Sequence, residues 1–526
     1  MNKNLHPKNA PSNEPSTPHK TNQQAELELT ERLNNTFDKN RPSQTKKRHA
    51  KGFNTARENL AKMCKTGRFI EYGQMAVAAQ RQRKSYQDLQ TETAADGVIT
   101  GIGKVNESTI NCTNESSKHS TALIINDYSV LAGTQGYFHH AKLDRIIEIA
   151  ESQKLPVIMF TEGGGGRPGD TDITTVISGL QCTTFSRWAG LAGIVPRITI
   201  NNGYCFAGNA ALFGSGDITI ATQSSNIGMA GPAMIEGGGL GKYTPSDIGP
   251  IDIQAANGVI DIVAQNENHA IEIAQFCLGF FQGDSKQWQA PKTKLIQEAL
   301  PSDRRYTYSI YKVIEAIVDV SSFIEIGAHN GGAICNGFAR INGCPIGIIA
   351  NNSKVLGGAI DVAAAQKLTR FLTLCNQFSI PILSLVDTPG FMVGPAHEQL
   401  GAVRHLTSLF TVGATLTVPL VAIVLRKCYG LGAQAMLGGS TENPSYMVSW
   451  PTGEFGAMGL EGAVKLGFKT ELESLVDADE RQALFEKLLA QQYEKGKAIE
   501  VASVLELDAV IYAAETRKTI VAALGF

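Results

Sequence analysis

Four glycine-rich strings in this sequence could do chemistry with backbone atoms. TEGGGGRPGD (161–170) carries Gly164 and Gly165, and CFAGNAALFG (205–214) carries Gly208 and Asn209. DTPGFMVGP (387–395) carries Gly390 and Phe391, and CYGLGAQAM (428–436) carries Gly432 and Ala433. Each follows a short apolar run that reads as a strand and precedes a segment that reads as a helix. At such a place backbone N–H groups are unpaired and point out from the positive end of a helix dipole. Two loops of this kind, brought together, make an oxyanion hole. Gly164 and Gly165 with Gly208 and Asn209 would form one hole; Gly390 and Phe391 with Gly432 and Ala433 would form another. For any single loop the plain reading is that glycine permits a tight turn at positive φ. Four such loops in duplicated register favour the functional reading. A phosphate cradle fits less well: GGGGRPGD lacks the G-K-[ST] ending, and GLGAQA matches a dinucleotide fingerprint only loosely.

The elements that must position these loops occur twice. Val130-Leu131-Ala132-Gly133 leads into AKLDRIIEIAESQKLP, then the apolar run VIMF, then the first glycine loop. Val355-Leu356-Gly357-Gly358 leads into QKLTRFLTLCNQFSIP, then ILSLV, then DTPGFMVGP. The offset is 225 at Val130/Val355 and again at Pro156/Pro381. Gly208 and Gly432 lie 224 apart, NIGMAGP answers EFGAMGLEG, and GIGKVN answers GFARIN. A constant offset of this kind marks an internal duplication. The units run from about Ala94 to Cys277 and from about Phe323 to Phe468. Alternating strands and helices predict an α/β fold. Residues 1–45, polar and poor in large apolar side chains, are expected to be a disordered tail. Residues 46–300 and 301–526 form the two halves, the second ending in a charged helical extension.

The bulk numbers exclude several classes. A net charge of −2 over 526 residues implies neither nucleic acid nor an anionic membrane as partner. Nine scattered cysteines without a C-x-x-C pair argue against a zinc site or disulfide framework, and fit a reduced cytoplasm. The uncharged run Leu406–Leu425 has the length of a membrane span, but its Ser, Thr, Gly and Pro content reads as a helix followed by a buried strand. No apolar leader is visible at the N-terminus.

The strings FTEGGGGRPGD, CFAGNAALFG, NIGMAGPAMIEGGGLG, SLVDTPGFMVGP, RKCYGLGAQAM and WPTGEFGAMGLEGAV resemble the carboxyltransferase component of biotin-dependent acyl-CoA carboxylases, above all the long-chain type. The resemblance runs from about Lys51 to the C-terminus. It implies tandem crotonase-like domains assembled as a homohexamer. The first half would receive acyl-CoA through Gly164, Gly165, Arg167 and Gly208, and the second would receive biotin through Gly390, Phe391 and Gly432. It implies a reaction in which carboxybiotin gives up CO2 and biotin's ureido oxygen takes the α-proton of the acyl thioester. Two oxyanions then need two sets of donors, with Gly208, Asn209, Gly432 and Ala433 at their centre, and no catalytic carboxylate, histidine or metal. No biotin carboxylase region and no A-M-K-M attachment sequence occurs here, so a separate biotin carboxylase and biotin carrier partner is expected.

Other candidates carry less. Arg167, Arg426 and Lys427 could meet CoA phosphates or be ordinary charges. His139 and His140 are adjacent, so they do not face one way as a metal pair would. His397 and Glu398 follow the second-half loop and could orient it. Met229 and Met458 read as core. Ala435 stands where short-chain members of the family often carry Asp, which points the acyl pocket toward longer chains. Two alternatives remain open: a biotin-dependent decarboxylase of a dicarboxylic acyl-CoA, and a non-catalytic scaffold for the biotinylated subunit.

Overall fold

The computed structural model describes residues 21–526 except Thr66, residues 112–118 and residues 304–305. It is built on two sheets of the same plan. In the first the strand order is Phe69–Tyr72, Val98–Lys104, Ser120–Asn126, Val157–Phe160, Arg197–Asn201, Ile218–Thr222 and Ile262–Ala264. In the second it is Ile324–Glu325, Ile334–Ile341, Cys344–Asn351, Ile382–Thr388, Leu420–Tyr429, Tyr446–Ser449 and Ala509–Val510. In both, the first two pairings are antiparallel and the rest parallel. The central strands Val157–Phe160 and Ile382–Thr388 are buried along their whole length and on both faces, as helix-covered parallel strands must be. The expected α/β class and the duplication both hold.

The offset of 225 extends into the backbone. A turn at Leu131 and Ala132 has φ of +48° and +54°, and its twin at Leu356 and Gly357 has +49° and +64°. A left-handed leucine costs roughly 1–2 kcal/mol, so its recurrence marks a turn that the fold requires. The next glycine explains why. A Cβ on Gly133 would lie 2.5 Å from the Glu162 carbonyl oxygen, and one on Gly358 would lie 2.4 Å from that of Asp387. The turn is thus pressed against the head of the glycine loop in each half.

The two halves share a core. Phe280, on the helix Glu267–Gln282, stacks on Phe338 of the second sheet. Arg370 clasps Asp261 across the halves at 2.8 Å. Ile296 and Ala299 already pack into the second core. The run Leu406–Leu425 divides between the helix Ala402–Ala414 and the buried strand Leu420–Tyr429. Among the described residues no helix is long and apolar enough to cross a membrane. After Phe468 the chain is helical as expected, at Lys469–Ser474, Ala478–Lys495 and Ala498–Ser503.

The N-terminal segment differs from expectation. Residues 1–20 lie outside the described residues, but Asn22–Asn34 is a helix started by a Thr21/Gln24 capping box. Arg41 then pairs with Asp127 at 2.6 Å, tying the segment to the first half. Capping and ion pairing, rather than apolar burial, order it.

Candidate active site

The glycine loops do converge, in a manner that differs between the halves. In the second, a Cβ built on Gly432 would lie 2.5 Å from the Gly390 carbonyl carbon and 2.8 Å from the Phe391 nitrogen, so backbone rests on backbone. Gly432 sits in the first turn of the helix Gly430–Met436, whose N-terminus has no side-chain cap. Its N–H therefore has no intrahelical partner. Ala433, one residue on, stands where the helical ladder begins. The Gly390 N–H is engaged by Thr388 Oγ1 at 3.1 Å. Phe391 is bridged to Ile360 in parallel fashion through the Gly390 carbonyl and the Met392 N–H. That pairing leaves the Phe391 N–H outside it, beside Gly432.

In the first half the loop is stitched by a side chain instead. Asn209 Oδ1 accepts the Gly165 N–H at 3.0 Å, while its Nδ2 donates to the Thr161 carbonyl at 3.2 Å. The Gly164 N–H donates to the Ala132 carbonyl. Gly164 and Gly165, expected as free donors, are thus already paired; they hold the loop. The N–H groups of Gly208 and Asn209 remain, in the first turn of the uncapped helix Gly208–Gly214. Gly166 joins them. It is bridged to Gln135 as Phe391 is to Ile360, through its neighbours Gly165 and Arg167. The 225 offset applied to Phe391 points to Gly166, a donor that inspection of the glycines alone passes over.

Gly208 and Gly432 do not occupy equivalent positions. Phe206 pairs with Gly228 and Tyr429 with Gly456, which aligns Phe206 with Tyr429. The left-handed residues that follow, Ala207 at φ +50° and Gly430 at φ +58°, agree. Gly208 therefore corresponds to Leu431, and Asn209 to Gly432. Two additional residues between Phe160 and Arg197 shift the offset from 225 to 223. Nor does a helix follow the first loop at once; the next is Thr184–Gly190.

Buried acids head both loops. Glu162 is held by Arg48 at 2.8 Å, and burial pushes its carboxyl up to about 7 against the pull of that arginine. At the matching position Asp387 is held by Arg426 at 3.0 Å. Arg426 is therefore committed to the loop and not to a CoA phosphate. The same holds for Arg167, which is 5% exposed and lies 2.6 Å from Asp96 and 2.9 Å from Asp170. A Cβ on Gly136 would collide with its guanidinium. Lys427 donates to the Gly357 carbonyl.

His139 is buried with Nδ1 on the Asp96 carbonyl, while His140 faces Thr184 at 3.0 Å. Among the described residues no group of three or more His, Cys, Asp or Glu could hold a metal. His397 and Glu398 lie on the short helix Pro395–Glu398 after the second loop. Met229 and Met458 are 72% and 42% exposed, lying just past the strands rather than in the core. Ala435 is buried. It does not line the open cleft of about 830 Å³ that Gly430, Leu431, Ala433, Gln434 and Met458 help to form.

The model of the carboxyl transferase domain matches residues 47–526. A Bacillus subtilis (strain 168) protein described as the uncharacterized carboxylase YngE is 31% identical over 439 residues, 80% of this chain and 82% of its own. A solved single-chain, multi-domain long-chain acyl-CoA carboxylase is 48% identical, with a TM-score of 0.89 over 96% of this chain. This chain spans about half of that protein, 49% of its length. The transcarboxylase 12S crystal structure, a hexamer with methylmalonyl-CoA and methylmalonic acid bound, is 26% identical at a TM-score of 0.83, covering 97% of this chain and 96% of that one.

Proposed function

Because the chain belongs to the carboxyl transferase domain family, it is a carboxyltransferase with tandem crotonase-like halves, and we propose that it carboxylates the α-carbon of an acyl-CoA within a biotin-dependent acyl-CoA carboxylase. The observation that carries this reading is the backbone contact of Gly432 with Gly390 and Phe391 beside an uncapped helix end. It presents N–H donors and no acid or base, which suits a reaction whose base arrives with a partner.

Carboxybiotin, carried by a separate subunit, supplies the CO2 and the proton acceptor. This chain's part is electrostatic. The N–H groups of Gly166, Gly208 and Asn209 hold the thioester oxygen, where charge develops as the α-proton leaves. Those of Phe391 and Gly432 hold the ureido oxygen. Donors fixed before reaction need no reorganisation, and each contributes on the order of 10²–10³ in rate. The donors gather in two separate sets, one per half, and the solved transcarboxylase 12S is a hexamer. Both support a homohexamer in which the first half of one copy faces the second half of another.

The test is reconstitution. Purified chain, a biotin carboxylase and a biotinylated carrier protein are mixed with ATP, labelled bicarbonate and an acyl-CoA series. Acid-stable label should appear only when all components are present. The chain alone should neither hydrolyse ATP nor stain with streptavidin. Absence of label with every acyl-CoA, while the carrier becomes carboxylated, overturns the reading.

A further inference from the structure

Gln135 lies between the two elements of the first hole. Its backbone is fixed to the glycine loop on both sides: its N–H donates to the Gly165 carbonyl, and its carbonyl accepts from the Arg167 N–H, each at 2.8 Å. Its side chain reaches over the helix that begins at Gly208. A Cβ built on Gly208 would lie 2.2 Å from Gln135 Oε1 and 3.1 Å from the tip of Phe185. The residue is 3% exposed, and its Nε2 has no hydrogen-bond partner among the described residues. A buried amide donor is ordinarily paired, because leaving it unpaired forfeits its hydration without return.

The duplication supplies an independent observation. At the offset of 225 the twin of Gln135 is Ile360, whose backbone makes the same pairings, with the Gly390 carbonyl and the Met392 N–H. Ile360 is fully buried in the core. The architecture is therefore satisfied by an aliphatic side chain at this position. The first half alone places a carboxamide there, next to the glycine whose N–H the hole uses.

We propose that Gln135 is a side-chain member of the first hole, its amide N–H donating to the thioester oxygen of the bound acyl-CoA together with the backbone N–H groups of Gly208 and Asn209. This deepens the acyl-CoA reading of the first half and rests on it. The asymmetry between the halves suits the two ligands. A thioester oxygen gains charge only as the enolate forms, and an added neutral donor strengthens that stage without placing a charge in the site.

The experiment uses the reconstituted holoenzyme with Gln135→Met, which keeps the length of the side chain and deletes the donor. Turnover should fall at least tenfold, and up to about 10³-fold, with KM changed less than kcat. Binding supplies a second measurement, by competition between an acyl-CoA and its thioether analogue, which lacks the carbonyl oxygen. Wild type should prefer the thioester, and Gln135→Met should narrow that preference while the backbone N–H groups retain part of it, a change that a merely structural role would not produce. Should Gln135→Met fail to fold, the turnover of Gln135→Glu decides instead, and undiminished turnover rejects the proposal. A folded Gln135→Met with wild-type kcat and intact thioester preference removes Gln135 from the hole and leaves the acyl-CoA reading standing. A wild type that binds no acyl-CoA removes both.

Discussion

Replacing Gly432 with alanine keeps every backbone N–H and adds one methyl group. That methyl would stand 2.5 Å from the Gly390 carbonyl carbon, 2.7 Å from its Cα and 2.8 Å from the Phe391 nitrogen, where ordinary contact begins at 3.4 Å. All three are backbone atoms, so no side chain can rotate aside. The helix and the loop must separate by about 0.9 Å at the closest pair. Forcing a methyl group into a packed contact costs about 1–3 kcal/mol, which a domain of this size tolerates. The donors then no longer converge on one oxygen, and a displacement of this size costs roughly 10² in rate. The assay is carboxylation by the reconstituted holoenzyme, with thermal unfolding run in parallel. Gly459→Ala is the control, since a Cβ there meets nothing within 4 Å. Gly390→Ala tests the other side of the contact. It has room, with Tyr429 O at 3.7 Å, but a φ of +126° that a side chain opposes. Gly432→Ala should lose about 100-fold in kcat while remaining folded, and Gly459→Ala should lose nothing. A folded Gly432→Ala with turnover within twofold of wild type would refute the idea that this contact sets the second hole.

Arg167→Ala should lower stability by about 3 kcal/mol by stranding Asp96 in the interior. Burial already pushes the Asp96 carboxyl from the usual 3.8 up to about 6 with the arginine present. A raised carboxyl stabilises the native state below its unfolded value and loses that contribution as pH rises through about 6. Without Arg167 the charged form is costlier still, so the Tm difference from wild type should be smaller at pH 5 than at pH 8; a pH-independent difference would contradict the pairing. Alkylation at pH 8, mapped by mass spectrometry, should mark half-buried Cys182 ahead of Cys205 and Cys428, whose thiols burial pushes up to about 12. Prompt labelling of either buried thiol would contradict that order.

The sequence shows glycine positions but not what their N–H groups bond to. Gly164, Gly165 and Gly166 look alike in GGGG, yet their roles depend on Ala132, Asn209 and Gln135, whose positions only the fold brings close. The duplication is legible at Val130/Val355 and Pro156/Pro381, because apolar periodicity and proline fix that register, whereas the left-handed turn after each valine is not. The register slips after the first loop, where the polar stretch between Phe160 and Arg197 carries no periodicity and two glycines invite the wrong match. Arg167 reads as a free cation in the sequence because one partner, Asp96, lies 71 residues away, and nothing in the local string shows that the loop turns the nearby Asp170 onto it. The Thr21/Gln24 capping box was a signal in plain view for a helix in a segment otherwise too polar to suggest one.

Asn209 and Gly432 occupy one position of an ancestral unit, and their difference bears on how such enzymes can diverge. Where a carboxamide stitches loop to helix, single substitutions can loosen, tighten or re-aim the junction, so the first half offers variation many small steps. Where backbone rests on backbone, no side chain is available to vary, and any change must move the main chain. Substitutions should therefore collect around the first junction among relatives of this chain, while the second stays fixed.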